Sequence, residues 1–295
     1  MRLVSYGSKA SWSAGIVLED DVIDLNEALS ATGDFHGQSF GSVREFLEAA
    51  GGRLEDVATA IDRAAIHSTL PVVGSVSSVR LGPPVPDPSK VLCIGLNYAD
   101  HVGETGRQLP SHPDVFSKFD TSLIGPTDVI AGTDITENLD FEGELAIVIG
   151  RVCSRVDESE ALGYVAGLTV LNDITARDLQ HRGTQWLAGK ALDDATPCGP
   201  FLVTLDEVGD PQTLDIRTTV NGVEVQSSNT KNMIFSVANV VAYVSQFLTL
   251  RPGDIIATGT PEGIGAKRQP PQWLQVGDVV TVELERVGVL TNRVG

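Results

Sequence analysis

A chain of 295 residues with 39 acidic against 21 basic side chains carries a formal charge of −18, which disfavours a nucleic-acid backbone or an anionic membrane surface as its partner. Its 42% hydrophobic content supports a full core, no apolar run approaches the ~20 residues of a membrane span, and "MRLVSYGSKASWSAG" lacks the apolar core of a signal peptide. Cys93, Cys153 and Cys198 are scattered and form no CxxC pair, so neither a disulfide framework nor a thiolate zinc site is supported; the expectation is a cytoplasmic enzyme with buried packing cysteines.

Residues 1–71 read as a small N-terminal α+β domain. "RLVSYG" and "AGIVLEDDVIDLN" form a strand pair, and two helices follow, one beginning "SVREFLEAAGG", where Ser42 and Glu45 have capping-box spacing. "GQSFG" matches the serine-nucleophile pattern G-x-S-x-G, but that elbow needs a buried strand before the serine. The preceding "SATGDFH" is polar, so Ser39 reads as a loop residue. Pro83, Pro84, Pro86 and Pro88 cannot build a helix or a central strand, which makes residues 72–90 an extended linker and leading strand and places a domain boundary near residue 72.

Residues 72–295 are dominated by short β-branched runs, among them "KVLCIG", "LAIVIG", "YVAGLTVLND", "PFLVT", "GDIIATGT" and "DVVTVELE". "IRTTVNGVEV" holds the Asn-Gly pair of a tight hairpin. Few helices separate these runs, so the fold class is α+β and β-rich, not a strictly alternating parallel α/β fold.

Within this region, His101 and Glu104 in "NYADHVGETG" sit three apart on one face of a short helical turn. They are either a surface ion pair or a dyad in which the carboxylate orients a general base. In "DFEGELAIVIG", Asp140, Glu142 and Glu144 alternate into an apolar strand, so like charges line up about 7 Å apart. Either water solvates that face or a hard cation gathers its oxygens. "YVAGLTVLND" ends in Asp173, a strand-end acid in an apolar setting that calls for a cation, and Glu142, Glu144 and Asp173 together make a candidate three-carboxylate site. Lys190 in "WLAGKALDD" is a surface lysine or, beside a metal, a stabiliser of developing negative charge. The glycine-rich "TGTPEGIGAKR" lacks GK[ST] and a complete G-x-G-x-x-G, so it reads as a loop closing the site and not as a nucleotide cradle.

Six blocks, "GLNYADHVGETG", "FSKFDTSLIGP", "DFEGELAIVIG", "NDITARDLQ", "GKALDDATPCGP" and "IIATGTPEGIG", stand in an order that resembles the fumarylacetoacetate hydrolase family from about Lys90 to Val294. The resemblance implies a mixed β-sandwich or roll as catalytic domain, with Mg²⁺ or Mn²⁺ (Ca²⁺ as a substitute) on Glu142, Glu144 and Asp173. It implies that His101 and Glu104 form a water-activating dyad on a mobile lid from Tyr98 to about Pro113, that Lys190 assists, and that Lys118, Arg177 and Thr260 lie near the substrate. Asp140 is then the solvated member of the acidic alternation. In "SKFDTS" Phe119 stands where many relatives have proline.

The implied reaction is hydrolytic cleavage of a C–C bond in a 2,4-dioxo acid such as an acylpyruvate, passing through an enolate, in aromatic catabolism. Enolate stabilisation on the same site also serves oxaloacetate-type decarboxylation or hydroxymuconate-type keto-enol isomerisation, and a metal-binding member without chemistry is a third reading. A homodimer is expected from the resemblance and from the sheet edges that short strands leave to be covered. The small-molecule substrate is expected to be selected by "TGRQLPSHPD" and by the N-terminal unit.

Overall fold

Every position of the strand Gly143–Ile149 is buried, and the sheet explains why an uninterrupted apolar run suits it. In the computed structural model, which describes residues 1–67 and 70–295, this strand lies inside an 11-stranded sheet. From one edge the order is Val72–Ser75, Asp21–Asp24, Ser11–Leu18, Arg2–Ser8, Thr196–Thr204, Val165–Asn172, Gly143–Ile149, Ile255–Ala257, Val91–Gly95 and Asp114–Lys118, with Leu123–Ile124 paired off this path to Thr196–Thr204. The central strands are covered on both faces, which removes the polar alternation of a half-exposed strand. Ala146 and Val148 pack with Phe46 and Leu47 of the N-terminal helices. Leu145, Ile147 and Ile149 face a second core with Ile216, Val282 and the helix Val237–Ser245.

That second core belongs to a four-stranded antiparallel sheet ordered Val223–Asn229, Asp215–Val220, Val279–Leu284, Gly288–Arg293. Its first hairpin closes between Val220 and Val223 through Asn221 and Gly222 with φ of 52° and 76°, the positive pair that an Asn-Gly turn supplies. The result is a mixed, strand-rich architecture of two packed sheets.

The N-terminal residues differ from expectation in detail. Glu19 at φ 55° turns the chain, so the second expected strand becomes two, Ser11–Leu18 and Asp21–Asp24. Three α-helices follow, Leu25–Thr32, Val43–Ala50 and Leu54–His67, where two are expected. Ser42 caps the second by accepting from Glu45 N–H, while Glu45 Oε2 accepts from Gly41 N–H at 2.7 Å, a capping box reaching one residue further back. Ser39 is exposed and follows the 3₁₀ turn Asp34–Gly37, with no strand before it to form a nucleophile elbow. The presumed linker opens as the strand Val72–Ser75, paired to Asp21–Asp24. Arg2 and Leu3 pair with Val203 and Leu202, so the N-terminal strands extend the sheet that carries the acidic residues.

Candidate active site

Antiparallel register brings the three acids together. Leu171 lies opposite Glu144 and Asn172 opposite Gly143, and past the end of the ladder Asp173 N–H donates to Glu142 C=O at 2.8 Å. Asn172 Oδ1 accepts from Glu142 N–H at 3.0 Å. One carboxylate oxygen from each of Glu142, Glu144 and Asp173 thereby falls within 4.8 Å of the others, all three residues being buried. Gly259, at φ +97°, has no room for a side chain, since a Cβ would stand 2.9 Å from Asn97 Cβ; its N–H donates to Glu144 Oε2 at 2.7 Å.

Three buried cations surround the acids. Lys190 Nζ reaches Glu142 Oε2 at 2.5 Å and Asp173 Oδ2 at 2.7 Å. Lys118 Nζ reaches Asp173 Oδ1 at 2.5 Å and Ile174 C=O at 3.1 Å, which places it beneath the site and not on the cavity wall. Arg177 spans Asp140 Oδ2 at 2.8 Å and Glu142 Oε1 at 2.6 Å, and its third contact is Gln180 Oε1 at 3.1 Å. Burial alone disfavours the Glu142 carboxylate, but Lys190 and Arg177 outweigh it and hold its carboxyl well below the usual range. Glu144 has no ion pair among the described residues, and burial followed by the like charges of Asp173 and Glu142 pushes its carboxyl up. Burial likewise disfavours the Lys190 ammonium, which Asp173 and Glu142 nonetheless hold charged above its ordinary value.

A three-oxygen donor set of this kind, crowded and only partly neutralised at Glu144, fits a hard divalent cation such as Mg²⁺ or Mn²⁺. Thiolate ligands play no part: the three cysteines are free and buried, and burial pushes the Cys198 thiol up to about 12.

Asp140 corrects the expectation of a solvated acid. It is completely buried and accepts four hydrogen bonds, from Phe141 N–H, Gly265 N–H, Ala266 N–H and Arg177. Its partners are the neighbouring Phe141 N–H, the distant Gly265 and Ala266 N–H groups and the Arg177 guanidinium, whereas Glu142 and Glu144 point to the candidate metal centre.

His101 and Glu104 lie on the helix Ala99–Thr105. His101 Nδ1 is 2.6 Å from Glu104 Oε1, and Glu104 Oε2 accepts from Gly263 N–H at 3.1 Å. The loop after Ala257 thus positions the dyad as well as Glu144. A cavity of about 200 Å³ gathers His101, Glu142, Glu144, Arg177, Lys190 and Thr260 on its wall. Thr260 is fixed by donating to Gly143 C=O and accepting from Gln226. Arg107, Phe116, Gln180, His181, Trp186 and Lys267 complete much of the lining. None of these six is named among the expected site residues, although Arg107 lies in the expected selector segment "TGRQLPSHPD" and Lys267 in the loop expected to close the site. Gln180 follows Arg177 by three on the short helix Arg177–Gln180, a spacing that the block "NDITARDLQ" displays.

The family model described as fumarylacetoacetate (FAA) hydrolase, C-terminal, matches residues 90–295. The chain belongs to the fumarylacetoacetate hydrolase family. Among curated relatives, the mitochondrial oxaloacetate tautomerase Fahd2a of Rattus norvegicus is 46% identical over 240 residues, covering 81% of this chain and 76% of the relative. Among solved structures, fumarylacetoacetate hydrolase from Exiguobacterium antarcticum matches with a TM-score of 0.82 and 34% identity, covering 100% of this chain and 99% of that one. Maleylpyruvate hydrolase from Sphingobium sp. SYK-6, in complex with manganese(II) and pyruvate, matches with a TM-score of 0.77 and 30% identity, covering 100% and 98%.

Proposed function

We propose that this family member is a divalent-metal-dependent enzyme that interconverts the keto and enol forms of an oxaloacetate-type 2-oxo acid. The observation that carries this reading is the convergence of Glu142, Glu144, Lys190 and His101 on one cavity, with Asp173 close against both glutamates and bonded to Lys190. The rat relative's activity as an oxaloacetate tautomerase supports it over the hydrolase expected from sequence. Hydrolytic C–C cleavage of a 2,4-dioxo acid is the second reading, favoured by the His101–Glu104 pair and by the likeness to a maleylpyruvate hydrolase.

Glu142, Glu144 and Asp173 would hold Mg²⁺ or Mn²⁺, which supplies Lewis-acid polarisation of the 2-oxo group. The hydrogen bond to Glu104 assigns the imidazole proton to Nδ1 of His101 and leaves Nε2 as the base. In tautomerisation Nε2 takes a proton from C3, the C–H electron pair becomes the C2–C3 double bond, and negative charge moves to the C2 oxygen. Returning the same proton to that oxygen yields the enol with no net gain or loss of atoms. Lys190 contributes fixed positive charge beside the developing oxyanion. In the hydrolytic reading His101 takes a proton from water as the oxygen adds to the distal carbonyl, the C–C electron pair departs onto C3, and C3 receives that proton back. Arg177 and Thr260 are proposed to orient the substrate carboxylate, and Lys118 to hold Asp173 in place.

The test is ultraviolet-monitored keto-enol relaxation of oxaloacetate with Mn²⁺-loaded protein, run beside assays of CO₂ release and acylpyruvate cleavage. Acceleration of the relaxation that falls by roughly 10²-fold or more in His101→Ala supports the tautomerase. Acylpyruvate cleavage without acceleration transfers the assignment to the second reading, and inactivity in all three assays refutes both.

No helix among the described residues is long and apolar enough to cross a membrane. The free, buried cysteines suit a reducing compartment, for which we propose the cytoplasm.

A further inference from the structure

The open side of the cavity carries charge of one sign. Arg107, His181 and Lys267 all line it and are exposed, whereas Glu142 and Glu144 are the only carboxylates on its wall among the described residues. In a chain with a formal charge of −18, cations collected at a cavity mouth without acids beside them have something to attract.

Both flanking cations are held on ordered supports. Arg107 follows Gly106, the left-handed C-cap of the helix Ala99–Thr105, and its guanidinium carbon lies 5.6 Å from the centre of the Trp186 ring. Trp186 is itself packed edge-on against Phe116 at 5.5 Å. Lys267 ends the turn Gly265–Lys267, which Asp140 fixes by accepting Gly265 N–H at 2.7 Å and Ala266 N–H at 3.0 Å. Neither side chain has an ion pair or hydrogen bond among the described residues. Burial, then the charges of Arg177, Arg107 and Lys267, hold the His181 imidazole below its ordinary value, so at neutral pH it offers an N–H donor without adding charge.

We propose that Arg107 and Lys267, with His181, form a second anion subsite that takes the distal carboxylate of the substrate, making the enzyme selective for 2-oxo dicarboxylates over 2-oxo monocarboxylates. This rests on the 2-oxo acid reading above and adds a selection that the carboxylate triad cannot make, because the triad meets the 2-oxo end that both classes share. The head group occupies the inner wall formed by Glu142, Glu144, Lys190 and Arg177, and the distal carboxylate is left at the exposed side.

The experiment is titration of Mn²⁺-loaded protein with 2-oxoglutarate and with 2-oxopentanoate, acids of equal length that differ in the distal carboxylate. Binding is read without turnover. The wild type should prefer the diacid by roughly tenfold, the scale of two partly exposed ion pairs, and the preference should shrink as salt rises. Arg107→Gln/Lys267→Gln should abolish the preference while binding 2-oxopentanoate within about twofold of wild type, which also reports an intact fold. Equal wild-type affinities, or a preference that survives in the double variant, overturn the subsite and leave the parent reading standing. Failure of the loaded wild type to bind either acid overturns both.

Discussion

Replacing Asp140 with asparagine changes one atom at a completely buried position. Oδ1 accepts from Phe141 and Gly265 N–H at 2.9 and 2.7 Å, and Oδ2 from Ala266 N–H and Arg177 Nε at 3.0 and 2.8 Å. An amide offers one acceptor oxygen, so in either orientation its NH₂ faces two donors. The milder orientation keeps the oxygen toward Arg177 and Ala266 and leaves Phe141 and Gly265 N–H orphaned, each costing about 1–3 kcal/mol. Loss of the charge opposite Arg177 adds to this, so a total of at least about 3 kcal/mol follows, a large part of the roughly 5–15 kcal/mol that typically separates folded from unfolded domains. Because Asp140 also holds Arg177 and the Gly265–Lys267 turn, the KM for a 2-oxo acid should rise by more than the kcat falls. Urea denaturation and steady-state kinetics of Asp140→Asn and Asp140→Ala check this, the alanine variant being at least as damaged since all four donors lose their acceptor. A loss below about 1 kcal/mol in Asp140→Asn with unchanged KM refutes the reasoning.

Glu144→Gln resembles the neutral carboxyl that burial and the charges of Asp173 and Glu142 favour without metal, so it should leave the metal-free protein's Tm nearly unchanged while weakening Mn²⁺ binding by at least roughly a hundredfold in calorimetry. The homodimer expected from the exposed sheet edges should appear in light scattering as twice the 31.2 kDa chain mass, and a monomer across a wide concentration range contradicts it. Tyr6, raised to about 12 by burial and by its bond to Asp24, ionises near pH ~10 when unfolded. Its contribution is therefore present below pH 10 and lost as pH climbs through about 12. Tyr6→Phe should have a flatter stability profile than wild type across that window, measured by denaturation at each pH.

What could be read from sequence follows the range of the interactions involved. "LAIVIG" and "YVAGLTVLND" announce strands because both faces of each are buried, and the acids before and after them stand out as charges that an apolar sheet end does not accommodate alone. The hairpin at Asn221-Gly222 is likewise a local matter of positive φ. Asp140 reads as solvated because its neutralising partners are remote: Arg177, 37 positions away, and the N–H groups of Gly265 and Ala266, 125 and 126 positions away, and a backbone N–H leaves no signature in a sequence. The cavity mouth was legible only in pieces: Arg107 lies in "TGRQLPSHPD", expected to select the substrate, and Lys267 in "TGTPEGIGAKR", expected to close the site, but nothing local brings these two and His181 to one wall. Nothing local in "RLVSYG" tells that it will pair with Val203 and Leu202 and so join the sheet bearing the site.

The buried charges themselves indicate the order in which the site is satisfied. Asp140, Glu142, Glu144 and Asp173 face Lys118, Arg177 and Lys190, all seven buried, so the cluster carries one net negative charge when every group is ionised. A divalent ion on the triad turns that to one net positive charge, which a 2-oxo acid carboxylate then cancels. Unbalanced charge is costly in a buried setting, and each ligand therefore relieves the imbalance that the other would leave. Metal and 2-oxo acid should bind with positive linkage, and linkage is reciprocal: saturating pyruvate should tighten Mn²⁺ by the same factor by which saturating Mn²⁺ tightens pyruvate. Lys190→Met, which leaves the cluster two charges negative, should strengthen Mn²⁺ binding relative to pyruvate binding. Independent affinities in the wild type, or a weaker Mn²⁺ affinity in a folded Lys190→Met protein, contradict the view that charge balance organises this site.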